Sequence, residues 1–174
     1  MLLVKRLMPG FIVSIKPKYI DLILSGLKVV ELRKRNARLP PGARILLYAT
    51  SPRRSVVGET RVTFRDELPT DLLWKTHGVS AAVSRDEFYA YYDGADCGVA
   101  LGLAEVICYA TPVSLSSLRD AHSGFRPPQS YMRVPSGIDT VIQEHLGNRP
   151  REQYDHPGGS VGGIHSASRL SPPG

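Results

Sequence analysis

Cysteine is nearly absent from this chain, with two residues in 174, Cys97 and Cys108. They lie within one strand-like run and make neither a metal-ligand spacing nor a disulfide framework, which fits a reducing cytoplasm. Long apolar runs are missing too. No window approaches the roughly 20 apolar residues that span a membrane. The apolar start MLLVKRLMPG is too short for a signal peptide and breaks at Pro9-Gly10. There is no P-loop, no zinc signature and no Ser-His-Asp arrangement. These absences lead us to expect a soluble cytoplasmic protein with no membrane, metal or cofactor.

Acidic residues are scarce in one place. Overall, 22 Lys and Arg face 16 Asp and Glu, for a net charge of +6. Between Arg33 and Arg65, however, Glu59 is the single acid among nine basic residues: Arg33, Lys34, Arg35, Arg38, Arg44, Arg53, Arg54, Arg61 and Arg65. Such a run predicts a basic patch facing a polyanion.

An apolar share of 42% is enough for a core, and the length suits one domain. From Gly147 to Gly174 the composition turns to Gly, Pro and Ser, which predicts a disordered tail after a domain covering 1–146. Within the domain, strands are expected at Phe11–Pro17, Lys28–Arg35, Arg44–Thr50, Ser55–Phe64 and Cys97–Ala110, with a last short one near Val134. Gly58 marks a bulge or close approach. Helices are expected at Tyr19–Gly26, from Thr70 or Asp71 to Gly78, after Ser84 with a capping box to Glu87, over SLSSLRDA from Ser114, and from Ser136. Five or six strands curved by glycine, with short helices between, predict an α+β fold: a small β-barrel with flanking helices.

The stretch SGLKVVELRKR carries charge inside a strand. Period-two alternation puts Glu31, Arg33 and Arg35 on one face and Val30, Leu32 and Lys34 on the other. Lys28 has the wrong parity, but it sits just past Gly26, where the chain is still turning, and can reach the same space. Glu31 and Arg33 are then either a solvated pair or, with Lys28, the wall of a cleft.

Gly26, Lys28, Glu31 and Arg33 spell G-x-K-x-x-E-x-R, the signature of the ASCH (activating signal cointegrator homology) domain. The flanking SIKPKYIDLILSG, LYATSPRRSVVGE, EFYAYYDG with GVALGLAEV, and PPQSY also resemble a bacterial subgroup of that family, over about Phe11 to Val134. The resemblance implies a PUA-like barrel, related to the pseudouridine synthase and archaeosine transglycosylase RNA-binding domain. It implies a cleft, lined by the motif, for single-stranded RNA or a nucleotide. Around it, Arg35, Arg53 and Arg54 offer phosphate contacts. Tyr19 and Tyr131 offer stacking faces, as do Tyr48 and the aromatics of EFYAYY, while most of Phe88, Tyr89, Tyr91 and Tyr92 are expected in the core. Lys16 flanks the first strand's end. Gln129 and Ser130, stiffened by two prolines, suit hydrogen bonding to a base edge, and Thr50 and Ser51 offer hydroxyls.

The alternative is a small nucleic-acid-directed hydrolase using Lys28 and Glu31. Some members similar to this family deacylate acetylated cytidine with the motif lysine, a threonine and a distant glutamate. Lys28 matches the lysine, but Glu31 stands at the threonine position. For ribonuclease chemistry by 2′-hydroxyl attack, Glu31, Lys28 and Arg33 supply a base, an acid and a phosphate clamp. His77 and His122 are expected at the surface, near helix ends.

Overall fold

The computed structural model describes residues 10–34, 37–147 and 152–153. Two continuous apolar runs, FIVSI and ILLYA, become the central strands β1 (Gly10–Ile15) and β3 (Arg44–Ala49), paired in parallel from Gly10↔Arg44 to Ile15↔Ala49. Such runs are what strands covered on both faces require. Between them lie helix α1 (Pro17–Leu24) and strand β2 (Val30–Arg33). Pro17 opens α1, and Gly26, at φ +76°, ends it by donating to Ile23 O.

Two long strands follow, β4 (Ser55–Pro69) and β5 (Cys97–Ser114), with helices α2 (Thr70–His77) and α3 (Arg85–Tyr91) between them. Ser84 and Glu87 form the expected capping box on α3. Gly58 sits where β4 shifts register against both neighbours. A Cβ there would lie 2.3 Å from Ile107 O, so the close approach needs glycine. β4 runs past Phe64, where the sequence pattern ends, because Arg65–Pro69 pair with Leu101–Cys97. Next come α4 (Leu115–Ala121), β6 (Tyr131–Arg133), α5 (Ser136–Gly147) and β7 (Glu152–Gln153), the last paired to β5. The rest of the tail expected to be disordered lies outside the described residues.

The strand order is β2-β5-β4-β3-β1-β6, a curved α+β half-barrel with flanking helices. Period-two alternation sorts the core into three clusters. Phe11, Val13, Ile15, Ile45, Leu47, Val99 and Leu101 fill the inside, with Ile20 and Ile23 of α1. Ile12, Leu46, Tyr48 and Val56 face the other way, onto Leu118 of α4 and Ile138 and Ile142 of α5. Val30, Leu32 and Ala100 pack on Leu73 of α2 and Phe88 and Tyr92 of α3. Among the described residues, no helix is long and apolar enough to cross a membrane.

Candidate functional site

Among the described residues β2 pairs with β5 alone, so its other edge has no strand partner. With Val30 and Leu32 buried against the helices, Glu31 and Arg33 turn inward to the seam between β2 and β1. Arg33 bridges that seam: Nη2 donates to Ser14 O at 3.2 Å and meets Glu31 Oε1 at 2.9 Å. Lys28 enters from the turn after α1, where its backbone N donates to Leu22 O. Its Nζ lies 3.5 Å from Glu31 Oε2 and donates to Ala81 O at 2.7 Å. That carbonyl is held in reach because Val29 and Val30 both donate to Ser80 O.

The three charged residues are buried, Lys28 at 2% exposure and Glu31 and Arg33 at 8% each. A surface pair would contribute at most ~1 kcal/mol. Here one carboxylate holds two cations away from water, and removing it would leave both uncompensated. Desolvation pushes the Lys28 ammonium below the ordinary lysine range, and the Glu31 charge only partly restores it. Among the described residues, Arg33 Nε and Ser14 Oγ are buried with no hydrogen-bond partner.

The cluster opens onto a cleft of about 720 Å³. Lys16, Lys18 and Tyr19 line it from the start of α1, Glu87, Phe88 and Tyr91 from α3, and Thr50, Pro128 and Gln129 from loops. Four cations (Lys16, Lys18, Lys28, Arg33) meet two carboxylates (Glu31, Glu87), so the cleft is net positive. Lys18 and Glu87 ion-pair from α1 to α3 at its exposed margin. The Tyr19 ring lies 5.3 Å from Lys28 Nζ and 4.6 Å from Lys18 Nζ. Tyr91, 44% exposed, offers a second aromatic surface.

Of the residues singled out in the sequence, Lys16, Tyr19, Lys28, Glu31, Arg33, Gln129 and Thr50 line this cleft. Gly26 acts through the α1 turn that delivers Lys28. Ser130 contributes its carbonyl to Ser14 N. Tyr131 packs against Phe11, and its hydroxyl accepts from Arg38 N, away from the cleft lining. Arg53 is held on Asp21 by two bonds of 2.7 and 3.0 Å, and Arg54 is exposed; neither lines the cleft. Arg35 lies outside the described residues. Ser14, Lys18 and Glu87 were not anticipated: Ser14 read as strand, and Glu87 as the capping-box residue it also is.

The basic run is not a uniform patch. Arg33, Arg44, Arg53, Arg61 and Arg65 ion-pair with Glu31, Glu59 and Asp139, Asp21, Glu105, and Glu67 respectively. Most of these acids lie far off in sequence and are brought in by strand pairing and helix docking. Lys34, Arg38 and Arg54 have no carboxylate partner among the described residues. His77 is a second correction: it is 8% exposed, stacked on Phe64 and 2.8 Å from Asp66, where a surface position was expected.

Comparison with known proteins agrees with this architecture. The family model for the ASCH domain matches residues 13–107. The chain is 31% identical over 119 residues to an ASCH domain-containing ribonuclease of Zymomonas mobilis, covering 68% of this chain and 80% of that protein. The crystal structure of ASCH from Zymomonas mobilis matches with a TM-score of 0.73 at 28% identity, over 78% of this chain and 94% of that one. Large ribosomal subunit protein uL22 of Ureaplasma parvum is 27% identical over 116 residues, 66% of this chain but 37% of that protein.

Proposed function

The chain belongs to the ASCH domain family, with the PUA-like half-barrel of its structural relatives, and from that premise we propose that its cleft binds single-stranded RNA or a nucleotide. One observation carries the reading: a buried Lys28–Glu31–Arg33 cluster with an unpartnered guanidinium Nε opens onto a net-positive cleft with aromatic walls. A phosphate or base carbonyl oxygen suits the Lys28 and Arg33 cations that line this cleft. Tyr19 and Tyr91 give stacking surfaces, worth ~1–3 kcal/mol per engaged base. Gln129 is the polar side chain suited to a base edge.

A second reading, RNA cleavage, is favoured by the Zymomonas relative that is named a ribonuclease. The 2′-oxygen would attack the adjacent phosphorus, forming a 2′,3′-cyclic phosphate and releasing the 5′-oxygen of the next nucleotide. One group takes the 2′-proton and another protonates the leaving oxygen. Lys28, whose pKa desolvation lowers, suits proton transfer, and Arg33 suits the phosphate.

The test is end-labelled single-stranded RNA run on native and denaturing gels from the same tube, for wild type and Lys28→Met, with matched DNA beside it. The binding reading expects a retarded, intact band that weakens with salt and in Lys28→Met. Shortened RNA, absent with Lys28→Met, establishes the cleavage reading. Neither retardation nor shortening at low salt overturns both.

A further inference from the structure

A second cavity, of about 390 Å³, is lined by Phe11, Arg38, Pro40, Arg65 and Arg133. Arg38 and Arg133 are exposed and Arg65 is half-buried, so three like charges converge on one open concavity. Glu67 is the carboxylate present, 2.7 Å from Arg65 Nη2. Arg38 and Arg133 make no ion pair among the described residues. Their placement is built rather than incidental. Arg65 Nε donates to Ala37 O at 2.8 Å, which fixes both the side chain and the segment carrying Arg38. Arg38 N donates to the Tyr131 hydroxyl at 3.1 Å. The Arg133 guanidinium lies 5.7 Å from the centre of the Phe11 ring, which orients the group without discharging it. Guanidinium forks of this kind match the oxygens of a phosphate.

The cavity also lies on the same seam as the cleft. Ile15 of β1 lines the cleft and Phe11 lines the arginine cavity, four residues apart on one face of the strand, so the two are separated by about 13 Å along it. On the facing side the chain passes from Arg33 at the cleft to Arg38 at the cavity. Tyr131, opposite Val13, stands between them. A short oligonucleotide laid along the seam would therefore meet both.

We propose that Arg38, Arg65 and Arg133 form a second anion-binding site, which takes a backbone phosphate of the single strand whose neighbouring nucleotide occupies the cleft. The continuity of the strand rests on the reading of the cleft given above; the anion site itself does not.

The double variant Arg38→Gln/Arg133→Gln tests this, with thermal melting to check that these surface changes leave the fold intact. Labelled dinucleotide and octanucleotide RNA are titrated by fluorescence anisotropy. The variant is expected to bind the octanucleotide about tenfold or more weakly at low salt, with a salt slope shallower by about 0.7 for each phosphate it no longer neutralises. Dinucleotide affinity stays as in wild type. Inorganic pyrophosphate followed by phosphorus NMR line broadening gives an independent arm: wild type broadens the signal more than the variant, which keeps the cleft cations. Equal octanucleotide affinity and slope in both proteins overturns the shared strand. Equal pyrophosphate broadening overturns the anion site. Should wild type bind no RNA, the cleft reading fails, and the pyrophosphate arm alone decides the arginine cavity.

Discussion

Replacing Glu31 by alanine removes the one carboxylate that holds Lys28 and Arg33. Its two oxygens lie 3.5 Å from Lys28 Nζ and 2.9 Å from Arg33 Nη2, and the three side chains are at most 10% exposed. Breaking a buried pair by deleting one partner costs roughly 3–5 kcal/mol, because a charge is left without compensation. Here two like charges remain. At about 2–4 °C per kcal/mol for a domain of this size, melting should fall by about 6–20 °C. Urea unfolding followed by circular dichroism at pH 7 reads the loss, and an unchanged m-value confirms that the reference states are the same. Adding Lys28→Met to Glu31→Ala removes one stranded cation, so the double variant should be more stable than Glu31→Ala alone. This non-additivity marks direct coupling. A loss below about 1 kcal/mol for Glu31→Ala would put the pair on a solvated face and refute the buried cluster.

Other perturbations probe separate links. The folded pKa of Lys28 is lowered by desolvation, so between that value and the unfolded one of about 10.4 the unfolded chain binds more protons. Wild-type stability, measured relative to Lys28→Met, should therefore rise with pH through the alkaline range; a flat difference contradicts the desolvation. Ser84→Ala should cost ~0.5–2 kcal/mol in urea unfolding by uncapping α3, which carries Glu87, Phe88 and Tyr91 into the cleft wall. Gly58→Ala drives a Cβ towards Ile107 O and should cost about 1–3 kcal/mol, whereas a neutral result would mean that β4 and β5 separate easily.

What could be read in the sequence was local. The Ser84–Glu87 capping box, the Gly26 turn and the alternation of Val30, Glu31, Leu32 and Arg33 each depend on residues a few positions apart, and each has its expected form. Lys28 looked out of phase because it precedes the strand; the turn after α1, pinned by its backbone bond to Leu22 O, returns it to the charged side. What could not be read depended on distant partners. Arg44 is neutralised by Glu59 across a strand pair and by Asp139 from α5. His77 is buried through Phe64 and Asp66 on β4, and Arg65–Pro69 become strand only because β5 is there to pair. The cleft wall from α3 was legible only in part: SRDEFYAYY announces a capped helix with aromatics to stack on, but not that Glu87 lines the cleft with them.

The most direct test of the cleft is photo-crosslinking of single-stranded RNA carrying 4-thiouridine, with the crosslinked peptides identified by mass spectrometry. Binding along the seam predicts crosslinks concentrated in the peptides bearing Tyr19, Tyr91 and Gln129, and their loss in Arg33→Gln protein that still melts cooperatively. Crosslinks concentrated instead on the exposed face of α2, around Leu72, or unchanged by Arg33→Gln, would contradict the assignment of the Lys28–Glu31–Arg33 cleft as the RNA site.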